Sequence, residues 1–539
     1  MRYGFIIDNR KCIGCHACTT ACKSEHQVPV GVNRTWVKQV EKGTFPDTRR
    51  LFSVMRCNHC TDAPCVSICP TEALHFRPDG IVDFDNDRCI GCKSCMQACP
   101  YDALYIDPDN NTAAKCNYCA HRIDVGLEPA CVNVCPEHAI ISGDMENPET
   151  EIAQLLARQA VKTRKPEKAT VPNLFYIDAD DVSLISTATD RSNISLWGSQ
   201  SLGVGHFAKE AEKMAFSNSD VLAEVMNMNS SFDTDNGKVS KPKTVEVLMD
   251  ETKQVYNTPD KGILWGWEVS AYVWTKAISA GIFLMAFLGW VTGLLSLDSN
   301  LFWWTIGIGI GFLGLTGLLL IKDLDRPDRF LYVLLRPHWE SWLVKGGYAI
   351  SVFGGLLTLL AVSKYFGWDA LMAPLMYMTA LAACIVAVYT AFLFAQAKGR
   401  DFWQSPTLAI HMLVHSLMAG AGVFLIISLI ENSSTEWNAF TAWILLISII
   451  VNLVVMLFEL VTTHPTMDAK IVVNMILKGR YKTMFWLGVL AVGNMIPLVM
   501  LLSGMSVGAT GALIAVFVLA GIYMTEHIWV EAPQRIPLS

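Results

Sequence analysis

The apolar positions of this chain follow two regimes. From Val269 to Trp529 they form unbroken runs near Val269–Leu295, Leu301–Ile321, Trp342–Val362, Leu371–Ala395, Thr407–Ile430, Ala439–Val461, Met484–Ser503 and Gly508–Trp529. Each is roughly 20 residues long, enough to cross the hydrocarbon core of a bilayer as a helix. Eight helices place both ends of the bundle on one side, and the short Ser503–Gly508 connection makes the last pair a tight hairpin. Tryptophans at 265, 267, 303, 304 and 529 fall near the ends of these runs, where an interfacial aromatic belt is expected. Before residue 182 the pattern is one of short helices and small hairpins. Leu74-His-Phe-Arg-Pro-Asp-Gly-Ile-Val-Asp-Phe reads as a hairpin with Asp79-Gly80 at its turn. Between the two regimes, residues 182–262 read as an irregular connector or docking arm. Met226 to Gly237 is largely polar and has no sustained period.

Composition sharpens this division. The chain has 539 residues, too many for one core. Its apolar fraction of 52% exceeds the soluble range. The net charge of -7 gives no nucleic-acid signal. Of 17 cysteines, 16 precede residue 136 and only Cys384 follows. Met1-Arg-Tyr-Gly-Phe has no basic region leading into an apolar core and no twin arginine, so no cleavable export signal is expected. Clustered cysteines without such a signal argue against a secreted disulfide scaffold.

The cysteines form four groups: Cys12, Cys15, Cys18 and Cys22; Cys57, Cys60, Cys65 and Cys69; Cys89, Cys92, Cys95 and Cys99; and Cys116, Cys119, Cys131 and Cys135. The third, CIGCKSCMQACP, has the ligand spacing of a bacterial two-cluster ferredoxin. Cys69-Pro-Thr-Glu-Ala-Leu, Cys99-Pro-Tyr-Asp-Ala-Leu and Cys135-Pro-Glu-His-Ala-Ile repeat one pattern. Proline stops a short helix because it cannot continue the hydrogen-bond ladder, and the Ala-Leu or Ala-Ile that follows starts a strand. Sixteen thiolates supply four cubane clusters with four ligands each. The competing reading is structural zinc, which Cys-x2-Cys pairs often bind. It fits the second and fourth groups taken alone but does not need the third and fourth cysteines of the other two.

These groups, with their longer gaps in the second and fourth, resemble the electron-transfer subunit of molybdopterin oxidoreductases of the polysulfide, dimethyl sulfoxide, tetrathionate and formate-dependent nitrite reductase types. The resemblance covers residues 1 to about 180 and includes Arg164-Lys-Pro-Glu and Pro172-Asn-Leu-Phe-Tyr. It implies an α+β ferredoxin-like domain over 1–181 with four [4Fe-4S] clusters. It also implies the pairing: Cys57, Cys60, Cys65 with Cys99; Cys89, Cys92, Cys95 with Cys69; Cys12, Cys15, Cys18 with Cys135; and Cys116, Cys119, Cys131 with Cys22. A second resemblance covers about 265 to 530. Lys322-Asp-Leu-Asp-Arg-Pro-Asp-Arg-Phe, Ala280-Gly281 and Lys478-Gly479-Arg480 resemble the membrane anchor of polysulfide and nitrite reductase complexes. It implies an all-α, quinone-reactive bundle over 263–539 that typically carries no haem. This sequence has Asp325 where glycine is common and Lys276 where a small residue is.

Charge gives orientation. Lys322, Arg326, Arg329, Arg336, Lys345, Lys398, Arg400, Lys470, Lys478, Arg480 and Lys482 fall at one end of the bundle, and the other offers little beyond Lys364. The positive-inside rule then puts the cysteine-rich domain on the cytoplasmic side of the inner membrane. Ionisable residues inside a membrane are functional candidates by default. Lys276, Asp323, His411, His415, Glu459, His464, Glu526 and His527 all lie in the helix halves or ends nearest that side. Lys276, Asp323, His411, His415 and Glu459 are the quinone candidates, because each quinone carbonyl needs a proton donor or acceptor. Lys276 reaching to the interface is the alternative, as is packing or haem ligation for His411 and His415, which share a face at i, i+4. Asp323 is equally suited to pair with Arg326 or Arg329. Glu526 and His527 read as interfacial.

The sequence therefore reads as an electron-transfer and membrane-anchor subunit, two usually separate subunits in one chain. It would join a molybdopterin-containing catalytic partner to the membrane quinone pool, menaquinone or ubiquinone. A sulfur-compound oxidoreductase, such as a sulfite dehydrogenase or polysulfide reductase, suits it best. The other reading is a redox-driven proton-translocating module, which asks for polar groups reaching the far side. Asn452 and Asn494 lie inside helices, but no acid–lysine series crosses that half.

Overall fold

A computed structural model describes residues 1–43, 46–189, 252–431, 433–462, 464 and 466–539. Contacts divide the chain into two compact units. The first is Met1–Leu264 with Ala397–Arg400 and Gln534–Ser539; the second is Trp265–Gln396 with Asp401–Pro533.

The first unit is built from short strands: β1 (Tyr3–Asp8), β2 (Thr35–Lys42), β3 (Arg49–Arg56), β4 (Leu74–Phe76), β5 (Val82–Phe84), β6 (Leu104–Asp107), β7 (Thr112–Lys115), β8 (Ile140–Asp144), β9 (Val161–Lys162), β10 (Leu174–Ile177) and β11 (Thr252–Tyr256). Strands β8-β1-β10-β9 form one sheet, in which β1 runs parallel to β10 and antiparallel to β8. Its apolar residues Phe5, Ile7, Ile140, Leu174 and Tyr176 pack with Cys18 and Cys131. β4–β5 and β6–β7 are isolated hairpins. Gly80 closes the first at φ +78°, a value that glycine adopts without strain. The cysteine-bearing helices are α1 (Ala17–His26), α2 (Pro64–Ser67), α3 (Ser94–Ala98) and α4 (Ala130–Asn133). The Cys-Pro repeat folds as its chemistry dictates. α3 stops at Cys99, which is extended (φ -73°, ψ 116°) because Pro100 disfavours a helical residue before it. Strands then begin at Leu74, Leu104 and Ile140.

The stretch expected to be an irregular connector over 182–262 needs correction at its ends. Val182 lies in a helical turn, Asp181–Leu184. Thr252–Tyr256 adds a third strand to β2 and β3, pairing Thr252 with Lys42 and Tyr256 with Gln39. Five residues are too few for a period to be read from sequence. Most of the connector, including Met226 to Gly237, lies outside the described residues. The boundary at 263 also shifts, because two pieces of the expected anchor fold into the first unit. Arg400 donates to Gln97 Oε1 (2.9 Å) and to the Ile536 carbonyl (2.7 Å). Arg164 donates to the Leu538 carbonyl (3.0 Å), and Asn257 to that of Ser539 (3.2 Å).

Among the described residues, the second unit has eight helices long and apolar enough to cross a membrane: α5 (Trp267–Val291), α6 (Asn300–Lys322), α7 (Trp342–Tyr365), α8 (Asp369–Gln396), α9 (Leu408–Ile427), α10 (Thr435–Val461), α11 (Met484–Leu502) and α12 (Ala509–Glu531). All eight expected spans are present. In the apolar stretches of α5 and α9, 78% of the residues are buried within the protein, against 28% in those of α6, α7 and α11, so those two form the centre. One core joins Ile278, Ile282 and Met285 of α5 to Met418, Ile449 and Val518; another joins Phe283 and Leu284 to Phe302, Phe353 and Met376. The central crossing requires glycine. A Cβ on Gly281 would lie 1.8 Å from the Ser416 carbonyl oxygen, and one on Gly420 would lie 2.1 Å from that of Gly281. Backbones of membrane helices approach this closely only through small residues. α11 winds in wide i→i+5 turns over Met484–Met495 before tightening over Ile496–Leu502.

The aromatic belt is only partly where the sequence suggested. Trp267, Trp303 and Trp304 are exposed, but Trp265 and Trp529 are buried. Trp265 stacks on Phe394 and Trp403, and Trp529 serves the buried site described next.

Candidate functional site: cysteine quartets and a buried carboxylate–imidazole series

The fold regroups the cysteines. Cys12, Cys15, Cys18 and Cys135 line one cavity. Cys69, Cys89, Cys92 and Cys95 line another. Cys65 lies within electrostatic reach of Cys57, Cys60 and Cys99, and Cys22 within reach of Cys116, Cys119 and Cys131. Each loop of three cysteines therefore takes its fourth from a different group in the sequence. Cys15 is exposed and Cys12, Cys92 and Cys135 partly so; the other twelve of these sixteen are buried. Burial pushes the Cys18 thiol up to about 11 and those of Cys92 and Cys119 up to about 12. Binding iron as thiolates would release those protons.

These cavities fit iron–sulfur clusters better than single ions. A zinc site draws its thiolates to about 2.3 Å from one point. Among the described residues no three His, Cys, Asp or Glu side chains converge that way. The polar atoms nearby also await a partner. Arg56 Nε and one Nη, Asn58 Nδ2 and His59 Nε2 are buried donors without a hydrogen bond. All lie within two residues of a cysteine in these groups. Buried donors without partners are rare, and sulfides and thiolates would satisfy them. Peptide N–H groups already point at sulfur, from Ala113 to Cys89 (3.3 Å) and from Ala139 to Cys135 (3.2 Å).

The second unit brings together residues far apart in sequence. Glu459 of α10 accepts from Thr407 Oγ1 (2.8 Å) and Trp529 Nε1 (3.0 Å), and meets His411 Nδ1 at 2.9 Å. His411 Nε2 faces His415 Nε2 at 3.0 Å. His415 Nδ1 meets Glu526 Oε1 of α12 at 2.6 Å. All four residues are buried. With both carboxylates ionised and both imidazoles neutral, each Nδ1–H is donated outward and two lone pairs face each other at the centre. A contact of 3.0 Å there needs a third hydrogen. The series thus holds one hydrogen per contact, with a net charge of minus one. Lys276, within electrostatic reach of Glu526, offsets it. Its Nζ donates to Thr390 Oγ1 (2.6 Å) and the Ala387 carbonyl (3.2 Å), and lies 4.6 Å from the centre of the Tyr389 ring. That ring packs against Gly346, where a Cβ would come within 2.1 Å of it.

Of the quinone candidates, His411, His415 and Glu459 are directly bonded, and Lys276, held by Thr390 and the Ala387 carbonyl, is within electrostatic reach of Glu526. Lys276 does not extend to an interface; it is only 1% exposed. Asp323 ends α6, partly buried, and is not part of the series, since all four imidazole nitrogens are used within it. The same fact leaves neither histidine a nitrogen for haem iron in this arrangement. The interfacial reading of Glu526 is overturned. It falls on the buried stripe Ala515, Val518, Ile522, Glu526, Trp529, whose i, i+3 and i+4 spacing was the available signal. His527, one position round the helix, instead pairs with Glu531 (2.8 Å). Thr407 carried no distinguishing mark in sequence, and Trp529 read there as a member of the aromatic belt.

The chain matches the polysulphide reductase, NrfD, family over residues 256–536, more than half of its length. This protein belongs to that family. Two 4Fe-4S dicluster domains match residues 11–74 and 48–145, and between them span all sixteen clustered cysteines. Similar curated proteins include a tetrathionate reductase subunit of Salmonella typhimurium, 44% identical over 200 residues, which are 36% of this chain and 80% of that one. A polysulfide reductase chain of Wolinella succinogenes is 43% identical over 181 residues, 33% of this chain and 94% of its own length. Protein NrfC of Escherichia coli is 41% identical over 181 residues, 33% and 81%. This chain is thus a multi-pass membrane protein that fuses an iron–sulfur subunit to an NrfD anchor.

Proposed function

We propose that the chain is the electron-transfer and membrane-anchor subunit of a respiratory molybdopterin oxidoreductase complex, working between a catalytic partner and the quinone pool. The observation that carries this is the union of four cysteine quartets with an anchor whose buried ionisable groups form one hydrogen-bonded series. Cys57, Cys60, Cys65 and Cys99 would hold one [4Fe-4S] cluster, and Cys69, Cys89, Cys92 and Cys95 a second. Cys12, Cys15, Cys18 and Cys135 would hold a third, and Cys22, Cys116, Cys119 and Cys131 a fourth. When bound, four such clusters supply one-electron transfer.

Lys276, Asp323, His411, His415 and Glu459, joined by Glu526, serve menaquinone or ubiquinone. Oxidation of a quinol needs a base for each hydroxyl proton, and reduction of a quinone needs an acid for each carbonyl. Glu459 and Glu526 end the series and would exchange those protons, while His411 and His415 relay them, since a proton entering at one end can be matched by one leaving at the other. Relatives named for tetrathionate and polysulfide reductases support a sulfur compound as the partner's substrate. The basic loops support a cytoplasmic iron–sulfur domain at the inner membrane. Purification through a tag on this chain tests the partnership. Molybdenum should co-purify with it in fixed ratio, and its absence from an otherwise intact complex rejects the reading. A reporter fused at Met1 and active only outside the cytoplasm rejects the sidedness.

Proton translocation is the second reading, and the buried hydrogen bond from Asn452 to Asn494 Oδ1 (3.0 Å) is what favours it. Turnover in sealed vesicles separates the two. Proton release on one side only, matching quinol oxidised, supports the first, and an excess on the far side supports the second.

A further inference from the structure

Arg56 ends β3 and is fully buried at 0% exposure. One Nη donates to Cys131 Sγ at 3.0 Å, and the guanidinium lies 4.5 Å from the centre of the Phe5 ring. Cys116 and Cys18 are its other electrostatic neighbours. Its remaining Nη and its Nε have no hydrogen-bond partner. Among the described residues it makes no ion pair with a carboxylate. A guanidinium buried without an anion is strongly disfavoured, and arginine cannot shed its proton to escape. Among the described residues, the anionic groups that face it are the thiolates of the two flanking quartets, Cys131, Cys116 and Cys18.

We propose that Arg56 sets the reduction potential of the cluster held by Cys22, Cys116, Cys119 and Cys131, holding it higher than the quartet alone would. A cluster on four thiolates is anionic and gains one more negative charge on reduction. A permanent cation against Cys131 therefore stabilises the reduced form more than the oxidised one. Low local dielectric strengthens this, since water does not screen the pair. Arg56 is a positioning and tuning residue; it neither ligates iron nor meets substrate. The inference rests on the quartets holding cubane clusters, and iron and acid-labile sulfide in the unmodified complex test that premise separately.

The experiment is redox titration of the complex followed by electron paramagnetic resonance, with the cluster identified as the signal altered in Cys119→Ser. Arg56→Gln keeps a donor near Cys131 and removes the charge. Arg56→Lys keeps the charge. At the poise where this cluster is half reduced in the unmodified protein, Arg56→Gln should lower the reduced-to-oxidised ratio at least tenfold, equivalent to about 59 mV for one electron. Arg56→Lys should stay within about twofold. An unchanged ratio in Arg56→Gln with full iron overturns the proposal, as does an equal shift in both variants. If Arg56→Gln does not retain its iron, Arg56→Lys decides alone, and a tenfold loss there overturns it.

Discussion

Replacing Glu526 with glutamine isolates the proton chemistry of the anchor. The amide has the shape of the carboxylate and can still accept from His415 Nδ1, now at 2.6 Å from the carboxylate oxygen. What it cannot do is take up a proton or carry charge. The structural cost is small, because intramembrane hydrogen bonds average about 0.6 kcal/mol and reach about 1.7 kcal/mol. Loss of compensation for Lys276 moves the cost toward the upper figure. The chemical cost is larger. A positioned acid or base contributes roughly 10²- to 10⁴-fold in rate. Glu526→Gln should therefore lower the rate of quinol-driven cluster reduction at least about 100-fold, while Tm in detergent falls by only a few degrees. Stopped-flow absorbance of the iron–sulfur chromophore after anaerobic mixing with a short-chain quinol reads this rate. A variant that assembles all its iron and reduces at the unmodified rate refutes the assignment of the series to quinone chemistry.

Other consequences follow from particular contacts. Lys276→Met should lower thermal stability, because it leaves the minus-one charge of the series without its buried counter-charge, and should slow quinol turnover; a full rate would remove Lys276 from the site. Gly281→Ala should destabilise the anchor by about 1–3 kcal/mol through overpacking, because its Cβ would lie 1.8 Å from the Ser416 carbonyl oxygen; unchanged Tm would mean that α5 and α9 separate freely. Cys99→Ser should perturb the cluster of Cys57, Cys60 and Cys65 and leave that of Cys89, Cys92 and Cys95 intact, and the opposite spectroscopic outcome would reject the exchanged ligand.

The parts of this molecule legible in its sequence were those fixed by local chemistry. Lipid leaves a helix little choice but about 20 apolar residues, so all eight spans were readable. Thiol spacing and Cys-Pro steps likewise marked the quartets and the strands after them. What the sequence hid depended on distant partners. Glu526 sat near the end of an apolar run and looked interfacial, although its stripe with Val518 and Ile522 pointed inward. Arg400 and Gln534 looked like parts of a membrane bundle, yet each bonds Gln97 in the cysteine-rich unit. β11 is too short to announce itself and exists because β2 offers it an edge. Lys276 looked able to snorkel, but Thr390 and the Ala387 carbonyl hold its ammonium inside.

The measurement closest to the central claim is an equilibrium titration of the purified complex in lipid nanodiscs with a menaquinol or ubiquinol analogue. Iron and acid-labile sulfide are counted on the same sample. Iron and sulfide for four cubane clusters are expected, with progressive bleaching of their absorbance as quinol is added. A fully loaded complex whose absorbance does not respond to quinol would contradict the claim.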